Sequence, residues 1–227
     1  VTILSTGDEL VEAGQPRAPG QVVSSNAYAL AALVREAGGV PRLPPIVRDA
    51  REETIAAIEA ALAASDFVVA SGGVSAGAYD FVKDALDALG AETRFWRVAM
   101  KPGKPVVLSR LRDRLFFGLP GNPVSCMVAF LLFVAPALRQ AMGQSGNLLP
   151  PQLTARAAGG MSGAPDRRAY LRVRLVSEQG ELVAYPMPAQ GSGVLTSMLQ
   201  ANGLAMIEAG TRAAKGDPVQ VLLIGAL

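Results

Sequence analysis

Histidine is absent from the 227 residues, and cysteine occurs once, at Cys126. The first absence excludes Ser-His and Cys-His nucleophilic pairs, imidazole general bases and most zinc sites. Carboxylates, lysines and backbone amides are left to do any chemistry. A single thiol excludes an internal disulfide, and its place in an apolar helical stretch points to a buried thiol in a reducing compartment. Charge of one sign is also lacking: 21 Lys and Arg stand against 19 Asp and Glu, a net charge of +2. So weak a field does not select nucleic acid or a membrane surface as the main partner, and a small molecule is expected instead. The longest apolar run, VSCMVAFLLFVAPAL, is short for a bilayer and contains Pro136, so no membrane span is predicted. Internal repeats and low-complexity tracts are missing too. Val1 is not a natural start, and the chain is expected to be a piece of a longer protein.

Half of the residues are hydrophobic, enough for one large or two small cores. Two domains are expected, an α/β domain over residues 1–146 and a small β domain over 152–227, because helical spacing gives way to strand alternation after the linker-like GQSGNLLPPQ. In the first part, VTILS, FVVAS, FWRVAM, PVVLS and LFFGLP read as strands. Helices read from Leu30, Leu33, Val34 and Ala37, from Ile55, Ile58 and Leu62, from Val82, Ala85, Leu86 and Leu89, and from Val124, Val128, Leu131, Leu132 and Leu138. Asn26 is expected to cap the first of these helices, Pro136 to bend or end the last, and QPRAPGQVVSSN to be irregular. Strands alternating with helices predict a three-layer α/β fold with a mostly parallel sheet. After residue 150, YLRVRLV, LVAYPM, GLAMIEA and VQVLLI predict a small β-barrel or sandwich of about seventy residues.

The stretch SGGVSAGAYDFVK, Ser71 to Lys83, organises the first domain. Its glycines and serines between a strand and a helix let backbone N–H groups approach an anion, and a phosphate-bearing ligand fits. Neither G-x-G-x-x-G nor G-x-x-x-x-G-K-[ST] is present, and such a loop also serves as a plain structural turn. Candidate ligand contacts here are Ser71, Gly72, Gly73, Ser75 and Gly77, joined by Thr6, Gly7 and Asp8 of the TGDEL loop. Carboxylates Glu9, Asp49 and Asp80 all follow strands, and in a parallel sheet those loops share one edge. Together they suit a hard cation such as Mg2+. Singly, Asp49 with Glu52 reads as a capping-box variant, Asp80 as a helix cap and Glu9 as a turn residue. Lys101 and Lys104 in the rigid KPGKP turn are cations suited to an oxyanion, or simply a basic turn. PGNPVS sets a helix N-terminus directly after a strand, with Pro120, Gly121, Asn122, Pro123 and Ser125 at its mouth. Arg167, Arg168 and Arg172, and Ser192 between Gly191 and Gly193, carry no assignment on pattern alone.

In this order, STGDEL, the SSN helix start, RDAREE, SGGVSAGAYDFVKDAL, FWRVAMKPGKP and FGLPGNPVS resemble the molybdopterin molybdenumtransferases, the MoeA family that includes the E domain of gephyrin. The resemblance covers Val1 to about Gly143, and the rest is similar to the family's small C-terminal β domain. It implies a cytoplasmic homodimeric enzyme that binds adenylylated molybdopterin and molybdate, releases AMP with Mg2+, and inserts the metal. It assigns acidic active-site roles to Glu9, Asp49 and Asp80, and a catalytic role to Lys101. Molybdate contacts fall to Lys101, Lys104, Ser125, Arg167 and Ser192, in a site expected between the two domains, and Pro120 and Pro123 match the PGNP prolines. Departures are Arg97, where lysine is frequent, and Gly193 in place of histidine. Two preceding family domains, which dimerise and complete the site, are not in these residues, so weak binding and little turnover are expected. The alternatives are a molybdopterin adenylyltransferase-like enzyme and a non-catalytic scaffold module.

Overall fold

Alternation decides the first sheet. In strand β1 (Thr2–Ser5) Ile3 and Leu4 point to opposite faces, and in β4 (Phe67–Ser71) Phe67 and Val69 oppose Val68 and Ala70. All nine of these strand residues are buried, as expected of strands covered on both faces. The computed structural model describes residues 1–73 and 81–227. Two units result: residues 1–98 with 105–148, and residues 99–104 with 149–227.

Between β1 and β4 come β2 (Leu10–Val11), β3 (Val22–Val23), α1 (Ser25–Glu36) and α2 (Arg51–Ala64). After them follow α3 (Phe81–Ala88), β5 (Glu92–Trp96), β6 (Met100–Lys101), β7 (Val107–Leu111), β8 (Arg114–Leu119), α4 (Pro123–Ala129) and α5 (Ala135–Ala141). The sheet order is β1-β4-β8-β7-β5. β1, β4 and β8 are parallel, while β7 runs antiparallel to both β8 and β5. The sheet is therefore mixed: β7 and β8 form a hairpin whose turn holds Arg112 at φ 53°. One face packs on α1 and the helix after β8 through Leu30, Val34, Phe117, Cys126 and Phe130; the other packs on α2 and α3 through Ile58, Val82, Leu86 and Phe116.

Several local expectations shift. The N-cap of α1 is Ser24, and Asn26 sits inside the first turn. β3, inside the segment expected to be irregular, is a short strand that pairs in parallel with β2 before it. The buried side of α2 is Thr54, Ile58 and Ala61, with Ile55 and Leu62 only half-buried. Pro136 does not end its helix. A π-helical segment, Phe130–Val134, joins α4 to α5, and such a widened turn accommodates the missing donor and the ring of a proline just beyond it. The continuous helix Pro123–Ala141 is 19 residues, long and apolar enough by composition to cross a membrane, but half of its apolar window is buried within the protein.

The second unit is a closed barrel. Its strands are β9 (Gln152–Ala157), β10 (Met161–Ser162), β11 (Arg168–Glu178), β12 (Glu181–Pro186), β13 (Gly203–Ile207), β14 (Arg212–Ala213) and β15 (Pro218–Leu223), with a short helix α6 (Thr196–Gln200). The order β12-β9-β15-β13-β11 closes through pairing of β12 with β11, which removes free edges. Ala169, Val173 and Leu175 of β11 face the core with Ala205 and Val221. The eleven residues of β11 exceed what β12 needs, and the spare end, Arg168 and Ala169, pairs in parallel with Met100 and Lys101 of β6. That pairing goes with residues 101–104 of KPGKP, read from the sequence as part of the first domain, belonging to the second unit.

Candidate functional site

Three parallel strands end at one level of the first unit. Ser5 pairs with Ser71, and Ser71 with Leu119, so the loops beginning at Thr6, Gly72 and Pro120 leave the sheet side by side. Residues 42–47 run along the outer side of β1, with Thr6 bridged to Val47, and deliver Asp49 to the same rim. The convergence expected of a parallel sheet is present for Thr6, Gly7, Asp8, Glu9, Asp49, Ser71, Gly72, Gly73, Pro120, Gly121, Asn122, Pro123 and Ser125. Ser75, Gly77 and Asp80 lie outside the described residues. Lys101, Lys104, Arg167 and Ser192 belong to the second unit.

The rim is tightly made. A Cβ on Gly72, whose φ is +97°, would lie 2.7 Å from the Thr6 carbonyl oxygen, and one on Gly73 would lie 3.1 Å from Thr6 Oγ1. Only glycine allows this approach. Thr6 is 6% exposed, and its buried hydroxyl has no hydrogen-bond partner among the described residues. A buried donor left without a partner costs stability, so this hydroxyl is suited to a bound oxygen. Asn26 braces the rim: its side-chain amide donates to Ser71 Oγ at 2.8 Å and to the Gly121 carbonyl at 2.7 Å. Pattern reading missed this role because an asparagine in a helix's first turn looks like a cap. At the helix after β8, Asn122 is the N-cap and Pro123 follows at the first position, but no side-chain cap bond forms. The positive end of a continuous 19-residue helix therefore opens on the rim without a side-chain acceptor among the described residues.

Acidic groups gather at the β1 side. The Asp8 N–H donates to Asp49 Oδ2 and the Asp49 N–H to Asp8 Oδ1, both at 3.3 Å. Asp49 thus does not cap α2, whose N-cap is Ala50. Arg48 lies 3.8 Å from Asp8, with both side chains well exposed, so screening leaves that pair weak. The Glu9 carboxylate folds back over Gly7, where a Cβ would meet it at 2.5 Å. Among the described residues no group of three acidic side chains is close enough to hold a metal ion. The described rim offers oxygen ligands, with Asp49 Oδ1 and Asp8 Oδ2 without partners among the described residues.

Beneath the rim, Cys126 is fully buried, and its thiol donates to Ser71 Oγ at 3.6 Å. Burial pushes the thiol up to about 12, against the smaller opposing effect of the Ser71 bond. A native thiol at pH 8 should therefore resist Ellman's reagent and react only on unfolding. The folded state holds this proton more tightly than the unfolded state. The contribution to stability is therefore complete below pH 9 and lost as pH rises from about 9 towards 12. Rapid native-state labelling at pH 8 would contradict this placement.

In the second unit the cations divide into engaged and available. Arg168 pairs with Glu208 at 2.7 Å, and that bond raises its pKa. Arg167 Nε is buried 3.1 Å from the Asp166 carboxylate yet makes no hydrogen bond among the described residues. Lys101 lies beside Ala169 in the β6–β11 pair and is exposed, as is Lys104. Arg172, which carried no assignment from the sequence pattern, proves central. It faces out of the barrel but is only 1% exposed, because residues 187–197 fold over it. Its Nε donates to Ser197 Oγ and its Nη2 to the Ala189 and Gly191 carbonyls, each at 3.1 Å. Gln190 ties the same turn to the Arg172 backbone in both directions. Ser192 sits in that turn, held by an arginine that burial makes harder to charge and that no carboxylate neutralises among the described residues.

Comparison with known proteins agrees with both units. Residues 2–140 match a family described as probable molybdopterin binding domain, and residues 154–224 match the MoeA C-terminal region, domain IV. A molybdopterin molybdenumtransferase of Nostoc sp. strain PCC 7120 is 38% identical over 98% of this chain and 52% of its own length. One of Bacillus subtilis is 35% identical over 99% of this chain and 52% of its own length. The chain spans about half the length of the curated relatives it matches. A crystal structure of a molybdopterin biosynthesis MoeA protein from Pyrococcus horikoshii superposes with a TM-score of 0.84 at 32% identity, covering 100% of this chain and 54% of that one. With its glycine-lined rim, its closed barrel and these matches across both units, the chain belongs to the molybdopterin-binding MoeA family.

Proposed function

We propose that the chain binds the substrates of a molybdopterin molybdenumtransferase, taking adenylylated molybdopterin and molybdate toward insertion of the metal and release of AMP. The observation that carries this is the buried Thr6 hydroxyl, without a partner among the described residues and set against Gly72 and Gly73 at a rim that also receives an open helix start. Glycine N–H groups, the helix terminus and Thr6 bind the phosphate end of the pterin, since all offer donors to an anion without bulk. Lys101, Lys104, Arg167, Ser125 and Ser192 serve the tetrahedral oxyanion as point charges and donors.

Glu9 and Asp49, with Asp80, are the groups that would hold Mg2+, an oxygen-seeking ion that needs only one or two carboxylates when phosphates complete its shell. When bound it neutralises charge on the phosphoanhydride that water cleaves to AMP. The free oxygens of Asp8 and Asp49 support the fit. The family resemblance also supports a cytoplasmic homodimer. The C-terminal match to MoeA favours this reading over an adenylyltransferase.

Titration calorimetry of the chain with molybdopterin, AMP and molybdate tests it. Molybdopterin and molybdate are expected to bind, and Lys101→Ala to weaken molybdate about tenfold with molybdopterin unaffected. No heat with any of the three compounds would overturn the reading.

A further inference from the structure

We propose that the crevice between the outer edge of β1 and α2 binds a small apolar acid, at a site separate from the rim. Residues 42–47 run beside β1 but pair with it only at the two ends. At one end the Ile3 N–H donates to the Arg42 carbonyl and the Arg42 N–H to the Val1 carbonyl, both at 2.9 Å. At the other the Val47 N–H donates to the Ser5 carbonyl at 2.9 Å and the Gly7 N–H to the Val47 carbonyl at 3.3 Å. Arg42 bridges Thr2 and Val47 bridges Thr6, so five steps from 42 to 47 run beside four from 2 to 6, and the segment bows outward. Pro44 and Pro45 stand in the bow, and neither has an N–H to give to the Ile3 carbonyl. The Ser5 N–H, which points away from β4, finds no acceptor there among the described residues. Ile3 and Ser5 are 1% and 5% exposed, and backbone groups so buried seldom go unpaired.

Beside this interrupted step lies a crevice of about 470 Å³, walled by Thr2 and Leu4 of the strand, Leu43 and Pro45 of the segment, and four alanines of α2. A space of this size is typical of small-molecule sites, which run from about 300 to 1,000 Å³. The walls are apolar, and Leu43 stays 44% exposed, so a ligand laid here removes hydrocarbon surface from water at about 25 cal/mol per Å². Arg42 supplies the charge. It lines the same crevice, is exposed, and forms no ion pair among the described residues. Its one side-chain hydrogen bond there, from Nη1 to the Ala64 carbonyl, is 3.5 Å long, which leaves most of the guanidinium donors for a carboxylate or sulfonate. No acidic residue lines the crevice, so its field favours an anion over a cation of the same shape.

Fluorescence titration of the chain with anilinonaphthalene sulfonate, a bicyclic dye with a fixed negative charge, tests this. The dye is expected to brighten on the folded chain. Arg42→Gln should weaken it about fivefold. Ala60→Leu fills the crevice from an exposed helix position with a residue that favours helix, and should weaken the dye about tenfold. Uncharged N-phenylnaphthylamine should bind the parent and Arg42→Gln alike. No brightening on the folded parent overturns the proposal, as does dye affinity undiminished in Ala60→Leu. Equal dye affinity in Arg42→Gln and the parent overturns it too, since the charge then recognises nothing. Displacement of the dye by AMP would put the dye at the rim and overturn the separate site.

Discussion

Arg172→Met should destabilise the barrel unit by about 3 kcal/mol and collapse molybdate affinity with it. Methionine fills much of the same volume but leaves the Ala189 and Gly191 carbonyls and Ser197 Oγ without their donors under residues 187–197. Each stranded acceptor costs about 1 to 3 kcal/mol when water cannot replace the lost bond. Removal of a buried, unneutralised charge returns part of this, which is why the expected total is nearer one strong bond than three. Urea unfolding followed by tryptophan fluorescence would report only on the first unit, since the single tryptophan, Trp96, lies there. Far-ultraviolet circular dichroism, which sees the barrel strands, is the appropriate probe. Unchanged stability in Arg172→Met would mean that the turn bearing Ser192 is held by something other than the arginine.

Gly72→Ala is expected to be nearly as damaging, through a different mechanism. The added methyl must sit 2.7 Å from a backbone oxygen that belongs to the adjoining loop, and no side-chain rotation relieves that contact. Gly72 also donates its N–H to the Leu119 carbonyl at 3.1 Å, while Thr6 donates to the Ser71 carbonyl at 3.3 Å. Relief therefore means prying apart the loops after β1, β4 and β8. A positive φ adds a penalty of its own for alanine. Together these give a loss of about 2 to 4 kcal/mol, and molybdopterin binding should disappear from calorimetry while Gly121→Ala, whose Cβ would meet only an ordinary 3.8 Å contact, keeps it. Binding by Gly72→Ala at parental strength would show that the close approach of these loops does not shape the site.

Much of the first unit was legible because its strands are short apolar runs and its helices carry regular apolar faces. Leu30, Leu33, Val34 and Ala37 are all buried where spacing put them, and the loops after β1, β4 and β8 meet at one rim because parallel strands leave no other arrangement. What resisted reading was whatever depends on partners far away in sequence. Asn26 bonds to residues 45 and 95 positions distant, and nothing in SSN announces either. Arg172 looks like an outward-facing strand residue, and on alternation alone it is one; only the fold-over of residues 187–197 buries it. β9 was missed because Gln152–Ala157 alternates with short and polar side chains, a weak signal beside the valine-rich strands. The backbone at Arg97, where φ is 95°, has no pattern at all in the sequence, since steric cost at a single residue leaves no periodicity.

The pairing of β6 with the end of β11 bears on how the protein can be dissected. Two residues taken from the middle of the first unit complete the hydrogen bonding of a strand that belongs to the second. A polypeptide cut to residues 149–227 would keep the barrel's closing pairs but bare the amide edge at Arg168 and Ala169, an invitation to strand addition by a neighbouring molecule. Trimming at the apparent linker would thus yield a sticky protein, and supplying Ala99–Lys104 in cis is what a well-behaved barrel requires.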